Sequence, residues 1–452
     1  MRKIAKRLIG CAAILVLTAV MLAKAADVTE LKLSRIKFHN FFEHAEEFDV
    51  LFIGSSHMVN GVFPLELWHD HGITSFNLGG HANHIPTTYW EYMNALDYAD
   101  PDVVVIDCLM LGGTQKTTGR FSMVHRALDP FPLSVTKIKA AMDLSDDPVT
   151  ERLVADGSVV DSERRSALGL LFNFGVFHAR WSELTEEDFN PSLNIEYGAE
   201  SRVQLAAPGV IAENPGTVLE EETLGVQYLK KIVDECKAHG REAVLIYLPY
   251  PMTTEPAWID ANSVEKLAEE WDVPYINFLN ENVADLRTDC YDADSHLNHS
   301  GAFKVTDYLG DFLTERFSLA DHRGEAAYGH WDEDYALYEN EKDSRLADIT
   351  DLNTYLMLLS DDLYGYTMEV GDARIFEDET TKALLEYKGA GAEVLTEGTS
   401  AAENEIIVHA FRAGDESAVV DTAKFVIYDG INERAPEETG ITLLKSRAVR
   451  AS

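Results

Sequence analysis

Two short polar segments carry side chains that could work together as a nucleophile and a base. The first is Gly54-Ser55-Ser56-His57, at the end of the apolar run 48–54. The second spans residues 292–301, where Asp294 lies two residues before His296. A serine hydroxyl becomes a strong nucleophile when a histidine takes its proton and a carboxylate orients that histidine. Helix capping would explain either segment alone, but the two together indicate catalysis.

The elements around these segments predict an α/β domain. Apolar runs predict strands at 48–54, 73–80, 101–111, 242–251 and 273–279, and helical patterns occur at 84–98, 221–239, 262–271 and 300–316. This alternation predicts a doubly wound, flavodoxin-like parallel sheet. Ligands in such folds bind at the carboxyl ends of the strands, which is where Ser56 would lie.

The N-terminus has the pattern of a secretory signal or membrane anchor. Residues 1–7 are basic, residues 8–22 form a continuous apolar run, and Ala23-Lys24-Ala25 fits a cleavage site. Cleavage and retention both remain open. In either case we expect the bulk of the chain outside the cytoplasm, either secreted or anchored to the cell membrane.

The sequence predicts three regions. We predict a signal or anchor over residues 1–25, a catalytic domain over 26–320, and a C-terminal α+β or β-rich accessory domain over 321–452. Residues 112–220 fit the strand–helix alternation poorly and are interpreted as a partly helical insertion that covers the sheet. Within it, Arg180 could bind an anionic group, although a structural salt bridge is the simpler interpretation.

Composition argues against one class of partner, the nucleic acids. The 452-residue chain has 77 acidic and 38 basic residues, a net charge of −39, and 46% apolar residues. The apolar content is typical of globular proteins, whereas such acidity disfavours binding to nucleic acids. The four cysteines show no metal-binding spacing, and a disulfide between Cys236 and Cys290 stays open.

The order of these motifs resembles the SGNH/GDSL hydrolase superfamily, most closely its bacterial cell-envelope members. The quoted blocks are Gly54-Ser55-Ser56, then Asn77-Leu78-Gly79-Gly80, and finally the segment around His296. The resemblance covers roughly residues 48–316. It implies that Ser56 is the nucleophile, His296 the base and Asp294 the carboxylate that orients it, with Asp292 as the reserve candidate.

The resemblance also implies an oxyanion hole, and here the sequence departs from the family. Backbone N–H groups of Gly79, Gly80 or Ala82 are candidate donors. Ser55 replaces the usual Asp of the first block, and the third block, which follows Ile106, lacks its usual Asn. Loss of one donor commonly costs about 100- to 1000-fold in rate. Asn83 or His57 could replace that donor.

The expected function is a serine esterase or O-acyltransferase that acts on ester-linked acyl groups, most simply acetyl, of a cell-envelope polysaccharide. This chemistry requires no cofactor, and a membrane acyl-donor protein is a potential partner. The alternative is an inactive glycan-binding or scaffold protein of the same fold. A third hypothesis is a metal-dependent hydrolase whose metal is bound by His57, His81 and His84. No set of carboxylates at metal-binding spacing accompanies these histidines. We therefore predict no metal.

Overall fold

A computed structural model describes most of the chain. The described residues are 2–29, 36–118, 121–146, 152–153, 159–160, 166–191, 193–387, 392–428, 431–434 and 449–450. They form two separate sheets with helices around them. The predicted boundaries at residues 25 and 320 remain predictions.

The first sheet has five parallel strands. Its strands are β1 (Val50–Ile53), β2 (Ser75–Asn77), β3 (Val103–Asp107), β6 (Glu242–Tyr247) and β7 (Tyr275–Asn277). They are arranged in the order β2-β1-β3-β6-β7, and each neighbouring pair is parallel. The order is compatible with the flavodoxin-like arrangement of doubly wound folds. The predicted α/β class with a parallel sheet is therefore confirmed.

Helices flank this sheet. They are α2 (His39–His44), α3 (Ser56–Gly61), α4 (Pro64–His71), α5 (Ile85–Ala95), α10 (Leu224–His239), α11 (Glu255–Trp271) and α12 (His299–Arg316). Helix α11 begins seven residues before its predicted start because Thr254 caps it, accepting a hydrogen bond from the Ala257 N–H, and Pro256 is tolerated in a first turn. Short 3-10 turns at Ala45–Glu47 and Ala326–Tyr328 connect neighbouring elements.

Successive side chains of the strands enter two different cores, as the period of a strand requires. Leu51 and Ile53 of β1 belong to a core shared with α5, α10 and α11, whereas Val50 and Phe52 belong to a second core shared with α12. Both faces of the sheet are therefore covered. This explains why the strands appear in the sequence as continuous apolar runs rather than alternating ones.

The insertion is partly helical, as predicted. It contains α6 (Phe121–Leu128), α7 (Val135–Ser145), α8 (Ala167–Leu171), α9 (Phe174–Phe177), 3-10 turns at His178–Ser182 and Glu186–Asp188, and the strands β4 (Arg152–Leu153) and β5 (Val159–Val160). Its last part, residues 201–219, contains neither helix nor strand. The guanidinium of Arg180 pairs with Asp188 at 2.8 Å, which matches the expected structural salt bridge.

The C-terminal region is an α+β unit with a mixed sheet. Its strands are β8 (Tyr364–Val370), β9 (Ala392–Leu395), β10 (Glu405–Arg412), β11 (Asp415–Tyr428), β12 (Ile431–Arg434) and β13 (Val449–Arg450), and its helical segments are α14 (Leu352–Leu358), a 3-10 turn at Ala373–Glu377 and α15 (Glu379–Glu386). The long helix α13 (Gly329–Asp348) joins the two sheets. Its Trp331 belongs to the core of the first sheet and its Leu346 to the core of the second.

The chain begins with helix α1 (Arg2–Thr29). Its segment Ile9–Ala26 is long and apolar enough to cross a membrane, and only 6% of it is buried in the protein. A signal sequence would look the same, so both predicted roles of the N-terminus remain open. The structure shows Cys236 and Cys290 as buried free thiols, so the disulfide left open by the sequence is not formed here.

Candidate active site

A continuous chain of hydrogen bonds links a serine, a histidine and a carboxylate at one edge of the first sheet. The Oγ of Ser56 lies 2.9 Å from Nε2 of His296. On the other side of the ring, Nδ1 of His296 lies 2.6 Å from Oδ2 of Asp292. Because the carboxylate accepts the Nδ1 proton, Nε2 carries a lone pair and can take the proton of the Ser56 hydroxyl.

The carboxylate in contact with the ring is Asp292, and the expected role of Asp294 is corrected accordingly. Three backbone N–H groups point to Oδ1 of Asp292, those of Asp294 at 3.2 Å, Ser295 at 2.6 Å and His296 at 3.0 Å. They fold the loop so that the other oxygen of Asp292 faces the ring. Asp294 is exposed and instead accepts a hydrogen bond from the Ser295 hydroxyl at 3.3 Å.

Electrostatics favour an ionised Asp292. Partial burial pushes the pKa of this carboxyl upward, but hydrogen bonds from the His296 ring and from the backbone of Ser295 and His296 outweigh it and lower the pKa to about 2. Asp292 is therefore charged at neutral pH. A charged partner at Nδ1 stabilises the imidazolium that forms when His296 accepts a proton.

The turn that carries Ser56 is held by the neighbouring strand β3. The carboxylate of Asp107, at the end of β3, accepts hydrogen bonds from the Ser55 hydroxyl at 2.8 Å and from the Ser55 N–H at 3.3 Å. Gly54 precedes this turn with φ +155°, and a Cβ there would lie 2.5 Å from Cβ of Asp107. Only glycine fits so close to β3 in this conformation.

These contacts join two features that the sequence shows separately. Ser55 stands where the resembling family has Asp, and Asp107 belongs to the third block that lacks Asn. In the structure they are direct partners. Complete burial raises the pKa of Asp107 to about 6, although hydrogen bonds from Ser55 and Leu109 oppose the shift.

The loop that carries His296 is anchored at both of its ends. Asn298 caps α12 by accepting a hydrogen bond from the Gly301 N–H, and its side-chain amide donates to the Thr288 carbonyl at 2.7 Å. At the base of the loop, the buried carboxylate of Asp289 accepts hydrogen bonds from Lys304 at 2.8 Å and from the Ser300 hydroxyl at 3.0 Å. The His296 ring therefore projects from a fixed frame.

The glycine pair after β2 uses its N–H groups within the protein. The Gly79 N–H donates to the Asn77 side chain at 3.0 Å, and the Gly80 N–H donates to the Gly54 carbonyl at 3.0 Å. A Cβ on Gly79 would lie 2.8 Å from the Cβ of Met58 in α3. Gly79 thus allows the loop after β2 to approach α3, the helix that begins at Ser56. In this conformation both N–H groups are occupied, so neither can donate to an oxyanion.

The remaining candidates of the same loop form a tight turn. The Asn83 N–H donates to the Gly80 carbonyl at 3.0 Å, and Ala82 adopts φ 58° at the third position of that turn. The side-chain amide of Asn83 donates to Glu91 at 2.6 Å. Asn83 is therefore committed to the interior, whereas the N–H of Ala82 takes no part in the hydrogen bond that closes the turn.

His57 is buried next to Ser56 and close to His296. Its backbone N–H donates to the Ser55 hydroxyl at 3.2 Å. Its ring lies 4.9 Å from the ring of Tyr250 and 5.8 Å from that of His296, and its Nδ1 is buried without a hydrogen-bond partner. Desolvation, with a contribution from His296, lowers the pKa of His57 to about 3. The ring is neutral at any pH at which the site would work.

The backbone N–H of Ser56 is a candidate oxyanion donor that the sequence analysis did not name. Ser56 is the first residue of α3, where an N–H has no intrahelical acceptor. In acyl transfer, an N–H on the nucleophile itself can face the oxygen of the tetrahedral intermediate. The sequence does contain a signal for this donor. Ser56 directly follows Ser55, a residue type that commonly caps helices, so Ser56 could be expected to begin a helix and to have a free N–H.

The extended segment 201–219 borders the loop that carries His296. The Ala206 N–H donates to the Cys290 carbonyl at 2.9 Å, and the Gly209 N–H donates to the Pro251 carbonyl at 3.1 Å. A Cβ on Gly209 would lie 2.4 Å from the carbonyl oxygen of Ala293. The last part of the insertion therefore packs against the loop of His296, a contact that the sequence did not predict.

The histidines considered as metal ligands lie in separate environments. The Nε2 of His81 lies 3.1 Å from Glu200, and Nδ1 of His84 donates to the Gln115 carbonyl at 3.2 Å. Within the part of the chain that the structure describes, two other groups have metal-compatible spacing, namely His44 with Glu47 and His330, and Glu66 with His299 and Asp361. The second group surrounds the ammonium of Lys342, which pairs with both of its carboxylates.

No protein-family model matches this chain, and no curated protein matches it. What the site can do therefore rests on its geometry. The arrangement offers a hydroxyl nucleophile, a histidine with an acceptor lone pair facing that hydroxyl, an ionised carboxylate behind the histidine, and a free backbone N–H on the nucleophile.

Proposed function

We propose that this protein is a serine esterase or O-acyltransferase of the SGNH type. The observation that carries the proposal is the hydrogen-bonded series Ser56–His296–Asp292, with contacts of 2.9 and 2.6 Å. Such a series activates a serine for attack on an acyl carbon. The placement of the two residues also supports the SGNH assignment, because Ser56 directly follows the turn after β1 and His296 lies just before α12.

The reaction would begin when Oγ of Ser56 attacks the carbonyl carbon of an ester and Nε2 of His296 takes the hydroxyl proton. Asp292 stabilises the resulting imidazolium. The Ser56 N–H would stabilise the oxyanion, and the Ala82 N–H is the candidate for a second donor. His296 then gives its proton to the departing alcohol, leaving an acyl group on Ser56. A water molecule or a sugar hydroxyl then gives its proton to His296 and attacks the acyl carbon. The bond to Oγ of Ser56 breaks, and His296 returns the proton to that oxygen.

The proposed substrate is an acyl ester, most simply acetyl, on a cell-envelope polysaccharide. The apolar helix α1 supports an extracytoplasmic location as either a signal or an anchor. A neutral glycan also suits a chain whose net charge of −39 disfavours nucleic acids and other polyanions. If the reaction is transfer rather than hydrolysis, a membrane protein is the natural acyl donor.

A second candidate function is glycan binding without catalysis. It is favoured by one observation: the N–H groups of Gly79, Gly80, Asn83 and His57 all donate within the protein. Fewer donors for an oxyanion mean a slower acyl transfer, and loss of one donor commonly costs about 100- to 1000-fold. The intact contact between Ser56 and His296 favours catalysis over this alternative.

Hydrolysis of p-nitrophenyl acetate by the purified chain tests the proposal. Ser56→Ala and His296→Ala should fall to the rate of the uncatalysed reaction. Ser295→Ala is the matched control, because its hydroxyl lies beside the catalytic histidine but bonds only to exposed Asp294, and it should keep nearly the wild-type rate. Equal rates for all variants and for buffer would favour the binding function.

A further inference from the structure

Between residues 133 and 193 the insertion exposes several large apolar side chains to solvent. This insertion apolar surface consists of Leu133, Val135, Ile138, Met142, Leu168, Phe172, Trp181, Phe189 and Leu193. Trp181 is 73% exposed and Phe172 is 61% exposed. Single exposed apolar residues are ordinary in proteins, whereas large apolar side chains exposed repeatedly along one stretch of chain point to a surface that is normally covered.

Helix α7 shows that this exposure is patterned. Val135, Ile138 and Met142 recur at spacings of three and four residues, so they share one face of the helix. The opposite face is buried, because Ala140 and Leu144 pack in a small core together with α8. The exposed face is therefore a second apolar stripe, which a helix buried on one side does not need for folding.

The end of α1 joins the same region. Helix α1 packs against α9 and against the 3-10 turn that contains Trp181. The guanidinium of Arg180 donates to the Thr29 carbonyl at 2.7 Å and holds the Asp188 carboxylate at 2.8 Å. The end of the apolar helix is thus fixed to the insertion by both packing and charge-assisted hydrogen bonds.

We propose that the insertion apolar surface lies in the interface of the membrane that α1 enters. This inference rests on the proposed role of α1 as a retained anchor. The apolar window ends at Ala26, and three further helical residues to Thr29 span only about 5 Å. Trp181 is therefore held within reach of the lipid headgroups, where tryptophan and phenylalanine side chains are enriched.

A lipid surface fits this region better than a protein partner because the bilayer is brought to it by the same chain. The net charge of −39 makes zwitterionic lipid the suitable surface, since anionic lipid would repel the domain. Two attachments, the span and the insertion apolar surface, restrict the rotation of the domain about its anchor. The site would then keep a constant orientation toward material presented at the membrane.

Depth-dependent fluorescence quenching tests this placement in the full chain, reconstituted in phosphatidylcholine nanodiscs. An environment-sensitive fluorophore is attached at single cysteines introduced by Met142→Cys, Phe172→Cys and Trp181→Cys in a Cys11→Ser background. Val419→Cys is the matched control, because Val419 is a 59% exposed apolar residue of the C-terminal sheet. The quencher is a lipid that carries a nitroxide near the top of its acyl chain.

The other cysteines suit this design. Cys108, Cys236 and Cys290 are buried and resist labelling in the folded chain, whereas Cys11 is exposed on α1. The native chain labelled at Cys11 therefore reports whether α1 enters the bilayer. We expect quenching at Cys11 and at the three insertion positions, severalfold greater than at position 419.

The two failures can be told apart. Quenching at Cys11, with the three insertion positions behaving like position 419, would overturn the inference and leave the anchor standing. Absence of quenching at Cys11 would overturn the anchor and the inference together. Neither result bears on the chemistry of Ser56, because esterase activity is not part of the measurement.

Discussion

Replacing Asp292 with asparagine should abolish most activity, whereas the same change at Asp294 should not. Oδ1 of Asp292 accepts three backbone N–H groups at 2.6 to 3.2 Å. An asparagine at this position must keep its oxygen toward those donors. Its NH₂ group then faces Nδ1 of His296, where the carboxylate oxygen lies at 2.6 Å in the native chain.

That orientation inverts the tautomer of the histidine. Nδ1 becomes the hydrogen-bond acceptor, so the proton moves to Nε2, and Nε2 can no longer take the proton of Ser56. In a serine protease the equivalent change lowers kcat about 10⁴-fold. We expect a loss of about 10³- to 10⁴-fold here, equivalent to about 4 to 5 kcal/mol of transition-state stabilisation. The fold should persist, because the backbone contacts of the loop are preserved.

Steady-state hydrolysis of p-nitrophenyl acetate measures this loss directly. Asp294→Asn is the matched control, because Asp294 lies two residues away in the same loop and accepts only the hydrogen bond from Ser295. Its kcat/KM should stay within a few-fold of wild type. If Asp294→Asn removed activity while Asp292→Asn retained it, the assignment of the orienting carboxylate would be refuted.

Three further predictions concern the surroundings of the nucleophile. Because burial lowers the pKa of His57 to about 3, His57→Phe should leave the shape of the pH–rate profile between pH 5 and 9 unchanged, and a lost or shifted inflection would contradict this. Burial raises the pKa of Asp107 from 3.8 to about 6, so this group favours the folded state below pH 4, and about 3 kcal/mol is lost as pH rises through 6. Urea unfolding should show that this fall is absent in Asp107→Asn, and an identical fall in both proteins would count against it. Gly54→Ala should lower kcat/KM about 100-fold by displacing the turn, whereas Gly240→Ala, where a Cβ meets no atom within 4 Å, should change stability but not activity.

Much of the framework follows from sequence pattern. Each of the five strands of the first sheet lies within a predicted apolar run, because a strand buried on both faces needs continuous apolar sequence. Ser56 and His296 could be paired from motif order alone, since both flank helices of one α/β domain. The structure shortens the strands, for example to Ser75–Asn77 within the predicted 73–80.

Loop folding explains why the sequence favoured Asp294 over the reserve candidate Asp292 as the carboxylate that contacts His296. The spacing of Asp294 and His296 suggests a contact between neighbours. In the structure, Asp292 gathers the backbone N–H groups of the following residues, and this turn brings its own carboxylate to the ring. The spacing of residues along the sequence does not show which carboxylate oxygen will accept the backbone hydrogen bonds of a loop.

The partnership of Ser55 with Asp107 was hidden for a different reason. The two residues are 52 positions apart, and each lies in a block that differs from the pattern of the family that the sequence resembles. They meet because β3 pairs directly with β1, with Ile53 opposite Ile106. Strand order within a sheet determines such contacts, and a single sequence predicts strands more readily than their order.

The most direct test of the central claim is covalent labelling of the folded chain with a fluorophosphonate. This reagent forms a stable adduct with a serine hydroxyl only where the hydroxyl is activated. Peptide mass spectrometry should locate the adduct on Ser56 in the wild-type chain and find none in His296→Ala. A folded wild-type chain without an adduct on Ser56, or one with equal labelling in His296→Ala, would contradict the account.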